Sequence, residues 1–426
     1  MPSSGRSFLC RGVPPVSRGR NMRILLNTTN LIKGGALQVA SALVGEILVD
    51  DRGIDWQFAL SAPVAENIER LSGRLPQSAT VFRSSPSKDL KVRRALLAME
   101  NRCRPDAVFS VFGPAFVRFS QPHLMGCATP WVTNSTWLSY STLPTWREKL
   151  HMWAWCCYCA AWLKQADGWV TESPAVKEGM CRRLRLPAEQ IAVVSNTCSQ
   201  PYFAQGRWTP FPKPDETVRL LCFSAAYPHK CIDLIPQVAR ALQDRLPGRA
   251  FEFVLTLPAE EPLWRKILTE AHHLGVGHRI VNRGPVAVAD GPALYRECHL
   301  AFVPTVLECF TATYPEAMAM GLPIITSDLD FARAVCGDAA IYFRPRDPAD
   351  AASQIHRVLT SGGLWYGLVQ RGKQVLEGLP TPRKKYEEYC NLLHKLVHRQ
   401  PLVSDAPRQA DSGNGRTHGE KSRRAA

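Results

Sequence analysis

The stretch that most constrains this chain is LECFTATYPEAMAMGLP, Leu307 to Pro323. An apolar run, Leu300 to Pro304, leads into it and a second, Pro323 to Thr326, leads out. Short apolar runs bounded by turn residues read as strands buried on both faces. The pattern is therefore strand, loop, short helix, strand, which is one turn of a parallel α/β sheet. Thr313 followed three residues later by Glu316 predicts a capping box, Pro315 suits the first helical turn, and Gly321 marks the C-terminal stop. Capping leaves Glu308 without a structural purpose, because it falls at the carboxyl edge of the sheet just before the helix. In open α/β sheets that edge is where ligands bind. Two acidic groups flanking a helix start, whose free amides attract phosphate, suit a ligand with both hydroxyls and phosphates.

The same alternation recurs on both sides of a proline-rich segment. In the first half, strands are expected at Met22–Asn27, Trp56–Ser61, Ala107–Val111, His123–Cys127, Gly168–Thr171 and Ile191–Asn196. The first is followed by Lys33-Gly34-Gly35 and a helical pattern through Leu37, Ala40, Leu43, Val44, Ile47 and Leu48. Glycine there lets a substrate or phosphate approach the backbone, although a tight turn without a ligand would use the same pair. The turn matches neither GxGxxG nor GxxxxGK[ST], which weakens a dinucleotide or ATP reading. In the second half, strands are expected at Val218–Phe223, Phe251–Leu257, Ile280–Asn282 and Leu300–Thr305, with helices between them. Lys230 follows the first of these strands through a Tyr227-Pro228 turn, a position from which it could neutralise a diphosphate; the alternative is a solvated surface lysine.

At 426 residues the chain exceeds one ordinary core, so two domains with extensions are expected. The expected division is an extension over 1–21, a first domain over 22–205, a linker over 206–216, and a second domain over 217–378. A last helix follows over 379–399, then a tail over 400–426. Both ends are polar and lack periodicity, which predicts disorder. The formal net charge of +15 favours anionic partners, and no helix-turn-helix, RNA-recognition or zinc-finger signature points to nucleic acid. The 14 cysteines lack the compact framework of a small secreted domain and are read as reduced thiols, which suits the cytoplasm. No apolar run is long enough to span a membrane, so a soluble or membrane-peripheral protein is expected. There is no HExxH and no acidic pair at a strand end, and Cys156-Cys157-Tyr158-Cys159 lacks a second pair at zinc-site distance, so no metal is expected. Between Thr145 and Val170, five tryptophans alternate with Arg147, Lys149, His151 and Lys164. That pattern fits a helix lying on an anionic membrane surface, and equally an amphipathic core helix.

Taken together, Pro304-Thr305, Glu308-Cys309-Phe310-Thr311, Pro315 to Ile324, Ser327-Asp328, and Gly337 to Phe343 with Pro348 resemble the large retaining group 1, or family 4, glycosyltransferases of GT-B fold. The resemblance runs from about Met22 to Val397. It implies two Rossmann-like doubly wound α/β domains facing across a cleft, with the last helix crossing back onto the first. It also implies a hexosyltransferase without metal or other cofactor, moving a sugar from a nucleotide-diphosphate sugar to a glycan or lipid-linked acceptor. Bacterial polysaccharide or lipopolysaccharide synthesis, at the cytoplasmic face of the plasma membrane, is the implied setting. By the same resemblance Glu308 and Lys230 are catalytic, contacting the transferred sugar and the diphosphate. Glu316 meets the ribose, Phe310 and Thr311 line the donor, and Gly34 and Gly35 form the acceptor or phosphate loop. Two departures stand out. The family's arginine five residues before the lysine is Ala225, and its Glu-Gly-Phe-Gly is Glu308-Cys309-Phe310-Thr311. These leave room for a non-catalytic nucleotide-sugar or polyanion-binding protein at a membrane surface, or an epimerase or phosphorylase of the same fold.

Overall fold

The structure, a computed structural model, describes residues 21–204 and 209–403. The expected terminal extensions lie almost wholly outside the described residues. The chain forms two parallel sheets. The first has seven strands, β1 (Arg23–Asn27), β2 (Asp55–Ser61), β3 (Ala79–Phe82), β4 (Ala107–Ser110), β5 (His123–Cys127), β6 (Gly168–Thr171) and β7 (Ile191–Val193), in the order β3-β2-β1-β4-β5-β6-β7. The second has six, β8 (Val218–Cys222), β9 (Phe251–Leu255), β10 (Ile280–Asn282), β11 (Leu300–Val303), β12 (Ile324–Ser327) and β13 (Ala340–Phe343), in the order β10-β9-β8-β11-β12-β13. In each sheet the strand order reverses once, between β1 and β4 and between β8 and β11. The expected pair of doubly wound α/β domains is present.

Strand alternation splits each sheet between two cores. In the second sheet Leu220, Phe253 and Phe302 pack with Val238, Leu242 and Ile355 of the helices Ile235–Arg245 and Pro348–Leu359. Their neighbours Leu221, Val254, Ala301 and Val303 face the other way, onto Tyr314, Met318 and Met320. Cys198 and Tyr202, which precede the proline-rich segment, also pack into this second core. The last helix, Pro382–Val397, returns to the first sheet, where Tyr386, Tyr389, Leu393 and Leu396 join Ile24, Leu26 and Phe109. Its Lys385 is buried there, 3.7 Å from the Glu172 carboxylate and donating to Asn196 Oδ1 at 2.6 Å.

Several local expectations need correction. β3 was not anticipated, because four half-covered residues at a sheet edge carry too little apolar signal. The strand expected over 191–196 pairs only through Val193. The capping box at Thr313 does not form. Helix Thr313–Ala319 is preceded by Ala312, Thr313 lies inside the first turn with its hydroxyl 3.4 Å from the Phe223 carbonyl, and Glu316 turns inward. Gly321 does stop the helix, in the left-handed region at φ 68°. The tryptophan-rich segment is the helix Trp146–Leu163, and its inner side bears out the core reading. Cys156, Cys159 and Leu163 pack into the first domain, while Trp146, Trp153 and Trp155 are exposed. Its CxxC pair is therefore core.

Candidate active site

The crevice opened by the reversal between β8 and β11 is where this fold collects ligands, and two expected site residues meet there. Lys230 ends the turn Pro228–Lys230 that follows β8, and Glu308 lies in the loop after β11. Their side chains form an ion pair through Lys230 Nζ and Glu308 Oε1. Thr305 Oγ1 is 2.9 Å from the same carboxylate oxygen and 3.1 Å from the His229 carbonyl, so its single proton serves either. The Val306 amide donates to the His229 carbonyl at 2.8 Å and stitches the two loops together. Both charged side chains are largely covered, and Lys230 has Glu308 to offset the desolvation of its ammonium. Beside the pair lies a narrow cleft lined by Phe223, Ser224, Lys230, Thr305, Thr311 and Thr313. Four of these offer a hydroxyl and one an ammonium, a lining suited to phosphate and sugar oxygens. A larger hollow between Met22, Arg52–Ile54 and Cys390–His398 sits at the amino ends of β1 and β2, the edge opposite to the one that binds ligands.

Glu316 is also beside the crevice but is enclosed. Tyr295 Oη donates to its Oε2 at 3.0 Å, and Tyr295 is itself packed edge-on against Tyr202 and Phe223. Burial raises the Glu316 carboxyl to about 7, with the Tyr295 bond opposing the shift. Phe310 is half-buried and Thr311 buried, its Oγ1 3.3 Å from Thr313 Oγ1. Between Glu308 and Phe310, Cys309 leaves its own domain. Its side chain packs with Val132 and Cys127 in the first core, and Ser173 Oγ donates to its carbonyl across the cleft at 3.1 Å. The residue standing where the family has glycine thus clasps the loop to the opposite domain. Glu172, next to Ser173, is buried and its carboxyl is raised by desolvation, with Lys385 pulling it back; desolvation likewise lowers Lys385.

The opposite wall is the turn after β1. Gly34 has φ +79°, a conformation that favours glycine, and a Cβ there would lie 3.7 Å from Tyr227 Oη. Gly35 begins the helix Gly35–Leu48. Lys33, which sequence reasoning quoted only as part of the glycine turn, carries its Nζ 5.3 Å from the centre of the Tyr227 ring. Tyr227 stacks on His229 at 5.6 Å, and Trp131 of the first domain meets His229 edge-on at 5.8 Å. Burial lowers His229 to about 4, so the ring is neutral at neutral pH. Trp131, His229, Tyr227 and Lys33 form a strip crossing the cleft. Only Lys33, one residue from Gly34, had a signal that could have found it. The two walls together can hold a ligand bearing negative charge at Lys230 and Lys33 and hydroxyls at Glu308 and the threonines.

Residues 217–361, which contain Lys230, Glu308 and Glu316, match the family model described as Glycosyl transferases group 1. D-inositol 3-phosphate glycosyltransferase of Salinispora arenicola is 29% identical over 154 residues, 34% of this chain and 34% of that protein, so the match spans about a third of that relative's length. The whole described fold matches solved structures at low identity. A glycosyltransferase from Rickettsia africae aligns with a TM-score of 0.65 at 14% identity, covering 89% of this chain and 99% of that one. HepE of Anabaena, solved with UDP-glucose, aligns with a TM-score of 0.66 at 15% identity, covering 88% and 100%. WaaG, a glycosyltransferase involved in lipopolysaccharide biosynthesis, aligns with a TM-score of 0.63 at 10% identity, covering 87% and 99%. The segment that holds the crevice is thus similar to the group 1 glycosyltransferases, and both sheets together have the two-domain α/β fold of these solved glycosyltransferases.

Proposed function

We propose that the chain transfers a hexosyl group, with retention at the anomeric carbon as in family 4, from a nucleotide-diphosphate sugar to a hydroxyl of a glycan or lipid-linked acceptor. The observation that carries this reading is the Lys230–Glu308 pair beside a hydroxyl-lined cleft at the β8/β11 reversal, inside the segment that matches the family. In the reaction the anomeric C–O bond to the diphosphate breaks. A C–O bond to the acceptor oxygen forms on the same face, and the acceptor proton leaves with the nucleoside diphosphate. Lys230, released from Glu308 as the donor enters, faces the leaving diphosphate, and positive charge held in place where negative charge develops lowers the barrier. Glu308 then accepts from a hydroxyl of the transferred sugar, and Glu316 from the ribose. Ala225 supplies no guanidinium, and Lys33 brings a second cation from the first domain instead. HepE, solved with UDP-glucose, and WaaG, named for lipopolysaccharide biosynthesis, support a nucleotide-sugar donor and a role in making bacterial surface polysaccharide.

Incubating the protein with a panel of nucleotide sugars, and following release of the nucleoside diphosphate, tests the reading. Slow hydrolysis of one donor, abolished in Glu308→Gln, is expected. The substitution at Ala225 favours one competing reading, a non-catalytic nucleotide-sugar or polyanion binder, and turnover of no donor alongside tight nucleotide binding would establish it.

A further inference from the structure

The helix Trp146–Leu163 is apolar on two opposite sides. Its inner side, with Cys156, Cys159 and Leu163, packs against Met125 and Val176 in the first-domain core. At 3.6 residues per turn, the stripe facing away from that core runs through Trp146, Leu150, Trp153, Ala154, Cys157 and Ala161. Trp146 is 69% exposed, Trp153 58% and Leu150 54%. An amphipathic helix ordinarily keeps its apolar residues on the one side that faces the core. Single exposed apolar side chains need no explanation, but three large ones within two turns make a patch that calls for an occupant.

The charges around the stripe indicate which occupant. Arg147, Lys149, His151 and Lys164 border it, and the one carboxylate between residues 146 and 164 is Glu148. Glu148 is turned back to the helix start, accepting from the Thr145 amide at 2.9 Å, so it does not offset the bases. The Arg147 guanidinium lies 5.6 Å from the Trp146 ring, which places a cation beside the first tryptophan of the stripe. A protein partner would match the apolar stripe without needing the cationic border. A bilayer surface needs both, tryptophan at the headgroup boundary and bases at the phosphates.

We propose that this face seats the protein on an anionic phospholipid surface, with Trp146, Leu150 and Trp153 in the headgroup boundary and Arg147, Lys149 and Lys164 against lipid phosphates. The attachment lies in the plane of the membrane, since among the described residues no helix is long and apolar enough to cross one. The face is also joined to the cleft. Cys156, on the inner side of the helix, lies beside Tyr140, and Tyr140 meets Trp131 edge-on at 5.5 Å. Trp131 in turn meets His229 at the crevice. Docking stands on this geometry alone; that it delivers a lipid-linked acceptor to the cleft rests on the transfer reading above.

Sedimentation of the full chain with vesicles decides it. Binding to phosphatidylcholine vesicles doped with phosphatidylglycerol is expected to exceed binding to phosphatidylcholine alone by roughly tenfold or more, and to weaken as salt is raised. Trp146→Ser/Leu150→Ser/Trp153→Ser should lower that binding at least tenfold. Arg147→Glu/Lys149→Glu should do the same with the melting temperature unchanged, and it carries the test if the serine variant folds poorly. Wild-type binding by both variants would overturn the proposal and place any lipid affinity elsewhere on the chain. A wild type that ignores vesicles but self-associates in sedimentation equilibrium, and is made monomeric by Trp153→Ser, would overturn it in favour of a second copy of the chain.

Discussion

Lys230 and Glu308 leave neighbouring strands, β8 and β11, and meet as an ion pair above the point where the strand order reverses. Each strand end contributes one member, so neither loop can move without breaking the pair. In the proposed reaction the cation is held by a carboxylate that the donor's diphosphate must displace.

Removing either partner separates chemistry from packing. Lys230→Ala is expected to lower turnover by about 10²-fold, the usual scale for one preorganised charge-stabilising group. It also leaves Glu308 with Thr305 alone, at a cost of about 1–3 kcal/mol in stability. Glu308→Gln keeps the shape of the side chain and should abolish transfer with a smaller loss of stability. Steady-state kinetics paired with urea melts read both effects. Lys230→Ala with wild-type turnover would make Lys230 a surface lysine that happens to face the crevice.

Glu316 gives the protein a pH signature. Below about pH 4.5 the carboxyl is protonated in both folded and unfolded chains, and between about 4.5 and about 7 only the unfolded chain has released its proton. Folding is therefore destabilised as pH rises through that window, by up to about 3 kcal/mol once pH passes the folded value. Glu316→Gln cannot ionise and should flatten that part of the stability curve. Urea midpoints of the two proteins at pH 5, 6 and 7.5 measure the difference. Parallel curves would mean that Tyr295 and the surroundings hold the carboxylate charged.

How much of this was legible in the sequence depended on the range of the interaction involved. The alternation of apolar runs fixes strand and helix locally, and two such series predict two doubly wound sheets. Lys230 and Glu308 were each legible because each follows a strand, but their pairing depends on the strand order that brings those ends together. The Thr313–Glu316 capping box was the wrong reading of a correct pattern. Both side chains found better partners from distant segments, Phe223 and Tyr295, which no local rule names. Cys309, Trp131 and Lys33 act across the cleft, and their roles exist only once the two domains face each other.

The buried pair Glu172–Lys385 ties the returning helix to the strand end that carries Ser173. Lys385→Met should cost about 3–5 kcal/mol, because it strands a buried carboxylate among apolar groups. Glu172→Gln/Lys385→Met should recover most of that loss. The coupling energy from the double-mutant cycle is the quantity to measure. Additive losses would mean that the 3.7 Å approach carries little energy and that Asn196 is the lysine's real partner.

Lys33 is the sharpest test of how the chain manages without an arginine at position 225. Its ammonium rests 5.3 Å from the centre of the Tyr227 ring and has no carboxylate partner among the described residues. An exposed cation–π contact holds it by only about 0.5–1 kcal/mol, so it can swing to a diphosphate entering beside Lys230 at little cost. Lys33→Ala should weaken nucleoside diphosphate binding roughly tenfold, about 1.4 kcal/mol, and should reduce the salt dependence of binding. Because Ala225 is exposed on the loop that carries Tyr227, an arginine can be placed there without disturbing a core. Ala225→Arg in the Lys33→Ala background should restore the lost affinity, since the second charge then comes from the same domain as the first. Titration calorimetry at two salt concentrations distinguishes the cases. If Lys33→Ala binds as tightly as wild type, Lys230 neutralises the diphosphate alone and Lys33 does no more than cover Tyr227.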